Sequence, residues 1–305
     1  MLRSWKFWLG CLLLVALIIV VEVSYGWLTV LQAWKTIRPE HIALALLLML
    51  ISYWLRALRF YDFFYTYCRG QFRPLTRITV LHNFFNNLLP MRSGEAAFPV
   101  LMKREFQVPY QQSIPALLWL RLMDLYVLAV LAAWSLQHLF LPWSAELRYA
   151  LLILVSASPI VLFLLQQRIE QWLAQQPQGW RLKALDTLQA LPKTQRIFWR
   201  AVLWTLINWL IKLAVYAWLL QQFVTLDFAQ AWLGAITGEL SSVLPIHGVA
   251  GAGTYEVGVM LGLAPFGLDT TALLAAAVNL HLFVLSCTLL LTPLVLVITR
   301  WRRRR

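Results

Sequence analysis

The chain has 305 residues, of which 61% are hydrophobic, and its mean hydropathy is +0.68. These values exclude an ordinary soluble domain and predict a membrane protein that crosses the bilayer several times. A formal net charge of +13 would suggest nucleic-acid binding in a soluble protein. Here the basic residues cluster at the ends of apolar segments, so we expect anionic lipid headgroups as their partners and no nucleic acid.

Six apolar segments are predicted to be full transmembrane helices. Each is long enough to cross a hydrocarbon core of about 30 Å at about 1.5 Å per residue. In chain order they cover residues 7–31, 42–65, 112–140, 147–165, 199–223 and 270–299. The first follows Arg3 and Lys6 and is too long for the apolar part of a signal peptide, so we expect it to be retained.

Two further apolar segments, 77–105 and 228–265, are interrupted in the middle. In each break Leu-Pro is followed by glycine and then by a glutamate, Glu95 in the first and Glu256 in the second. Proline and glycine break a membrane helix, and the freed backbone must face protein or a water-filled cavity. We expect each arm to be too short to cross alone, so that both segments form re-entrant hairpins.

The distribution of Lys and Arg predicts the orientation of these segments. With both termini in the cytoplasm, every basic cluster lies on the cytoplasmic side of an inner, cytoplasmic membrane. One membrane domain, 1–305, then contains two halves of opposite orientation, 1–141 and 142–305, joined by a cytoplasmic linker at 166–200. The predicted fold is an all-α polytopic membrane protein, with six transmembrane helices and two re-entrant broken-helix hairpins in an inverted repeat.

The first break offers candidate substrate-binding residues. Arg92 is a bidentate donor suited to phosphate, and Glu95 follows it closely. Asn87 lies on the preceding arm, where cavity lining and contact between helices are equally plausible. We favour ligand binding because ionisable groups inside membranes usually serve function. The alternative is an ion pair between Arg92 and Glu95 that closes the hairpin.

The second break offers candidate proton carriers. Gly251 and Gly253 allow positive φ or a close approach of the backbone to a ligand. Glu256, Glu239 and His247 are titratable groups in or beside the break and could couple transport to protons. The alternatives are a glutamate that only caps its own helix and a histidine that is only hydrogen-bonded.

Two polar pairs lie inside full-length helices. Arg121 and Asp124 are three residues apart and share a helix face, so we expect them to bind each other or a hairpin and to contribute to the substrate site. Arg56 and Arg59 mark the inner end of the second helix. For at least one of them we favour a side chain that extends to the membrane surface as an anchor.

No pattern in the sequence points to catalysis. It contains no Walker loop, no nucleophile elbow and no HExxH motif. The three cysteines lack the spacing of metal ligands. We therefore expect no enzymatic activity, no metal and no cofactor.

Several of these motifs together resemble the flippase-like transmembrane region of lysylphosphatidylglycerol synthases and its stand-alone relatives. The resemblance covers nearly the whole chain. It implies transfer of a lipid with a charged headgroup between leaflets, and without a soluble synthase domain the chain is not expected to make lysylphosphatidylglycerol. The motifs are Arg56-Ala57-Leu58-Arg59-Phe60, Asn87-Leu88-Leu89-Pro90-Met91-Arg92-Ser93-Gly94-Glu95, Arg121-Leu122-Met123-Asp124, and the segment 244–256 that ends in Gly253-Thr254-Tyr255-Glu256.

Two functions follow as hypotheses from different classes. The first is a flippase that moves an anionic phospholipid or a polyprenyl phosphate between leaflets, with proton coupling through the second break. The second is an accessory protein that binds lipid for a partner membrane enzyme, a glycosyltransferase or an acyltransferase, and transports nothing itself. Transfer by the chain alone separates the two. An intramembrane enzyme is the weakest hypothesis, since it would need a nucleophile or a metal site.

Overall fold

The computed structural model describes residues 5–89, 94–140, 144–175, 178–181, 185, 188, 194–243 and 249–299. In these residues the regular structure is entirely helical, which confirms the predicted all-α class. The α-helices are α1 (Trp5–Ser24), α2 (Trp27–Gln32), α3 (Pro39–Phe63), α4 (Tyr65–Cys68), α5 (Phe72–Leu88), α6 (Ala97–Phe106), α7 (Tyr110–Phe140), α8 (Ala145–Ala174), α9 (Gln195–Phe223), α10 (Phe228–Val243), α11 (Thr254–Leu263) and α12 (Thr270–Ile298).

Length and composition make several of these helices able to cross a membrane. Within the described residues five stretches qualify, and a sixth is added if one bent pair counts as a single span. The chain is therefore a multi-pass membrane protein. The five stretches are Pro39–Phe63, Tyr110–Leu136, Gln195–Phe223, Val249–Phe266 and Thr270–Ile298.

The first predicted helix, 7–31, is wrong as one straight span. The chain turns at Gly26, whose φ is +81°, and the axes on either side of the turn differ by 84°. A carboxylate oxygen of Glu22 accepts the N–H of Trp27 at 3.1 Å, at the start of α2. Glycine permits the positive φ, and the carboxylate satisfies a free amide at the new helix start, so both residues favour the bend.

The second interrupted segment contains the stretch Val249–Phe266, which qualifies as a membrane span by length and composition. Its helix is irregular, because Ala250 lies inside it with φ +54° and only the ten residues of α11 form continuous α-helix.

Glycines bring α10 and α11 into close contact. A Cβ atom at Gly258 would lie 2.6 Å from the side chain of Ser241, and one at Gly262 would lie 2.1 Å from Thr237 Oγ1. Small residues at these positions let the two backbones approach more closely than larger side chains would allow.

The core places helices from both halves of the chain around one centre. α3 packs against α9, and α5 packs against both α3 and α12. The apolar core of this centre includes Tyr216, Leu213 and Phe283, all buried. A second apolar cluster, which includes Phe60, Phe98 and Leu120, joins α3 to α6 and α7. Polar side chains lie between these two clusters and form the site described next.

Candidate functional site

A polar cavity lies at the centre of the molecule. Its cavity volume is about 70 Å³, and it is bordered by α3, α5, α7, α9, α10, α11 and α12. Ionisable and amide side chains from both halves line it, including Arg56, Asn83, Asn87, Arg121, Lys212 and Glu239. Ionisable groups at such a depth are costly unless they are paired or serve a ligand, so the partners of each group matter.

Arg59 and Asp124 form a buried ion pair beside this cavity. The two guanidinium NH groups of Arg59 lie 2.6 and 3.1 Å from the two carboxylate oxygens of Asp124. Thr205 accepts from Arg59 at 2.9 Å, and the indole N–H of Trp209 donates to Asp124 at 3.1 Å. The side chains are 3% and 1% exposed, so an anchoring role for Arg59 at the membrane surface is wrong.

Arg121 joins this ion pair to Glu95 of the first break, in agreement with the prediction that it binds Asp124 or a hairpin. Its Nη1 lies 3.4 Å from Asp124, and its Nε lies 2.9 Å from Oε1 of Glu95. Glu95 also accepts from Asn86 at 2.7 Å and lies 3.0 Å from Nε2 of His82. Glu95 thus keeps neutral polar neighbours in addition to Arg121.

Lys212 and Glu239 form a second ion pair, inside the cavity. Lys212 Nζ donates to Glu239 at 3.1 Å and lies 4.4 Å from the centre of the Trp209 ring. Ser242 also lies within 3.4 Å of the Glu239 carboxylate. The predicted proton carrier Glu239 therefore faces the cavity with a lysine as its partner.

Arg56 differs from the other cations of the site. It lines the cavity and donates to the amide oxygen of Asn83, a neutral partner. None of the ion pairs found in the described part of the chain includes Arg56, whereas Arg59, Arg121 and Lys212 each face a carboxylate. Arg56 is thus a partly buried cation directed at a cavity and without a matched anion.

Glu256 and His281 form a buried pair at the second break. His281 Nδ1 lies 2.6 Å from Glu256 Oε1, and His281 Nε2 lies 2.8 Å from the carbonyl oxygen of Ala250. Both ring nitrogens therefore face acceptors, and a neutral imidazole carries only one N–H. The geometry requires one more proton, either on the second ring nitrogen or on Glu256.

The glycines of the second break shape its backbone. Gly251 and Gly253 have φ of +82° and +81°, which only glycine adopts readily. The Gly253 N–H donates to Glu256 Oε2 at 2.8 Å, so this amide already has an acceptor. Glu256 thus caps its own helix in addition to binding His281.

The remaining predicted residues divide into two groups. Asn87 lines the cavity and donates to the hydroxyl of Thr288 at 2.8 Å. Arg92 and His247 lie outside the described residues. Four described residues at the centre were not predicted as site residues: Arg56, Arg59, Lys212 and His281. Their charge inside an apolar segment is the signal that could have identified them.

Comparison with known families identifies the chain. The family described as the lysylphosphatidylglycerol synthase TM region matches residues 7–291. In other members this region is separate from the catalytic domain. No curated protein matches the chain. Since the match covers nearly the whole sequence, the chain belongs to the family of the lysylphosphatidylglycerol synthase transmembrane region.

Proposed function

We propose that this protein is a flippase that moves an anionic lipid, either a phospholipid or a polyprenyl phosphate, between leaflets of the cytoplasmic membrane. The observation that carries the proposal is Arg56, a cation without a matched carboxylate in a cavity lined by both halves of the chain. A lipid phosphate would supply the missing negative charge. Guanidinium groups bind phosphate through two parallel hydrogen bonds, which fits this role.

The energetic cost of a charged group inside the membrane favours binding of an anion beside Arg56. A charged group inside a membrane costs several kcal/mol, in the range of about 2.5–3.5 kcal/mol on insertion scales. Three of the four central cations offset this cost with a carboxylate from the protein. Among the described residues Arg56 has no ion-pair partner and donates to the amide of Asn83, so an anion that enters the cavity would offset part of its cost.

An inverted repeat of the halves 1–141 and 142–305 is part of the proposal, and one contact near the centre supports it. Ser52 donates to Asn208 at 2.6 Å across 156 residues of sequence. Ser52 is the fourteenth residue of α3, counted from Pro39, and Asn208 is the fourteenth of α9, counted from Gln195. In a two-fold arrangement, a residue close to the axis contacts its own equivalent.

The same register relates the charged pairs of the cavity. Arg56 and Lys212 are both the eighteenth residues of their helices, α3 and α9. Their partners Asn83 and Glu239 are both the twelfth residues of α5 and α10, counted from Phe72 and Phe228. The first half therefore has an arginine–asparagine pair where the second has a lysine–glutamate pair. This correspondence favours two related halves around one substrate site, as in alternating-access transporters.

The closing helices continue the correspondence. Arg121 is the twelfth residue of α7, counted from Tyr110, and His281 is the twelfth of α12, counted from Thr270. Each contacts the glutamate of its own hairpin, Glu95 or Glu256. We propose that the Glu256–His281 pair carries the coupling proton, since its geometry already requires one. The orientation with both termini in the cytoplasm follows from the basic clusters and is part of the same proposal.

Residue roles in the proposed flippase follow from these contacts. Arg56 and Arg121 bind the headgroup, and Asn87 lines its path. We keep Arg92, in the segment 90–93, as a further proposed headgroup contact, and His247 as a further proposed proton carrier. Asp124 positions Arg121. Gly251 and Gly253 shape the turn that precedes Glu256.

Leaflet transfer in proteoliposomes tests this function. Labelled phosphatidylglycerol, cardiolipin, an aminoacyl phospholipid and a polyprenyl phosphate would be compared, with and without a pH gradient. The flippase predicts faster transfer of one of these lipids than in protein-free vesicles. No transfer of any of them by folded protein would contradict it and would favour a lipid-binding accessory of a partner membrane enzyme.

A further inference from the structure

Two apolar grooves on the outer surface lead towards the charged pairs of the two hairpins. The first lies between α6 and α7, and its wall includes Pro99, Val100, Ile114, Leu118 and Leu122. Its cavity volume is about 750 Å³. This lies within the roughly 300–1,000 Å³ of ordinary ligand pockets. Glu95 and Arg121 are the charged residues that border it.

The wall between this groove and the central cavity is thin. Arg121 and Val243 border both spaces, so one layer of side chains separates them. The position of Arg121 is held by Glu95 at 2.9 Å and by Asp124 at 3.4 Å. A change in the partner of Arg121 would therefore alter this wall.

The second groove has the same relation to the cavity. It lies beside α11 and α12, and its lining includes Gly253, Glu256, Val257, Leu261 and Leu274. Glu256 borders the groove, whereas its partner His281 borders the central cavity. The contact between them, with 2.6 Å between Oε1 and Nδ1, spans the wall.

We propose that the Glu95–Arg121 and Glu256–His281 pairs are two lateral gates between the membrane and the central cavity. At the first gate, an acyl chain of an anionic lipid occupies the α6–α7 groove while its headgroup reaches Arg121. This inference rests on the proposed function and adds the route by which the substrate enters and leaves.

Exchange of partners on Arg121 explains how the first gate opens. An incoming phosphate replaces the Glu95 carboxylate, so Arg121 keeps a negative partner throughout. Glu95 is not left unsatisfied, because Asn86 and His82 remain within 2.7 and 3.0 Å of it. A displaced carboxylate without such neighbours would lose its hydrogen-bond partners, which disfavours the exchange. The occupant must be anionic, since a neutral headgroup could not compete with a carboxylate for a guanidinium.

Photocrosslinking tests whether lipid occupies the groove. A phosphatidylglycerol with a diazirine in its acyl chain would be irradiated with the full chain in vesicles, and the modified peptides mapped by mass spectrometry. Crosslinks should concentrate on α6 and α7. Leu118→Trp, which fills the groove, should abolish them. Leu44→Trp is the matched control, because Leu44 is similarly exposed (53% against 60% for Leu118) but lies on α3. Crosslinks spread evenly over the lipid-facing helices would contradict the proposal that an acyl chain occupies the groove.

A second probe tests the exchange at the gate. With the diazirine next to the phosphate, Glu95→Gln should increase crosslinking beside Arg121 several-fold, because the competing carboxylate is gone. If crosslinking beside Arg121 does not increase in a folded Glu95→Gln protein, the proposed exchange of Glu95 for phosphate on Arg121 is contradicted.

The outcomes separate this inference from the function on which it rests. Crosslinking in the groove without leaflet transfer would contradict the flippase while supporting the acyl-chain site. Transfer at the wild-type rate by Leu118→Trp would overturn the lateral route and leave the flippase standing.

Discussion

At the scale of single residues, three of the four cations described around the cavity contact a carboxylate of the protein, and the fourth contacts only a neutral amide. Arg59, Arg121 and Lys212 each contact a carboxylate, and Arg56 contacts an amide. Among the described residues Arg56 has no ion-pair partner, which is what the proposed transient binding of an anion requires.

Arg56 and Arg59 lie on the same helix, three residues apart, and offer a matched comparison. Arg59→Ala leaves Asp124 buried with a weakened set of partners, so we expect a loss of about 3–5 kcal/mol in the free energy of unfolding. Arg56→Gln breaks no ion pair among the described residues and should leave stability nearly unchanged while removing lipid transfer. Unfolding in mixed micelles measures the first effect and leaflet transfer the second. Equal destabilisation by both substitutions would assign Arg56 a structural role.

Substitution of Glu256 should remove the proposed coupling proton without disturbing the fold. In Glu256→Gln the amide oxygen can still accept the Gly253 N–H, and the amide N–H can donate to a neutral His281, so the contacts survive without the extra proton. Tyr255, which stacks on His281, and Glu239 are further titratable groups that border the cavity near this pair. We expect Glu256→Gln to transfer lipid at a rate that no longer responds to a pH gradient. Glu22→Gln, on exposed α1, is the control and should respond like wild type.

Local sequence patterns predicted some of these contacts and could not predict others. Arg121 and Asp124 share a face because they are three apart, and their contact follows from helix geometry alone. Arg59 reaches Asp124 across 65 residues, and His281 reaches Glu256 across 25. Such pairs depend on how helices pack, which hydrophobic patterns leave open.

At the scale of helices, close packing of α10 and α11 depends on glycine. A Cβ at Gly262 meets the side chain of Thr237, whereas a Cβ at Gly258 meets Ser241 and also the backbone oxygen of Thr237 at 2.9 Å. Gly262→Ala and Gly258→Ala should each lower the free energy of unfolding by about 1–3 kcal/mol through overpacking.

Thr237→Ala distinguishes the two glycines. It removes the two atoms nearest to a Cβ at position 262 and leaves the Thr237 Cβ at 2.9 Å, so it should restore part of the stability of Gly262→Ala in a double variant. It leaves the backbone contact at position 258, so Gly258→Ala should stay destabilised. Rescue of both variants, or of neither, in unfolding measurements would contradict this packing of the two helices.

Hydropathy predicted most membrane helices, because long apolar runs leave few alternatives. The prediction for 42–65 corresponds to Pro39–Phe63 and that for 112–140 to Tyr110–Phe140. The 84° bend at Gly26 was missed because the surrounding run is apolar throughout, and hydropathy does not register a change in direction. The second break was expected, and the described helix after it, α11, has ten residues.

At the scale of the whole molecule, the proposed inverted repeat would link architecture to function. The Ser52–Asn208 contact joins α3 and α9, and the cavity lies beside them. In the proposed repeat, equivalent positions hold different chemistry: Asn83 corresponds to Glu239, and Arg121 to His281. We propose that this difference makes one half bind the anionic headgroup and the other respond to protons.

The most direct measurement is leaflet transfer of labelled phosphatidylglycerol by wild type and Arg56→Gln, reconstituted in equal amounts of folded protein. We predict that wild type transfers the lipid faster than protein-free vesicles and that Arg56→Gln falls to the protein-free rate. Transfer by Arg56→Gln at the wild-type rate, or no transfer by folded wild type, would contradict an anionic-lipid flippase centred on this arginine.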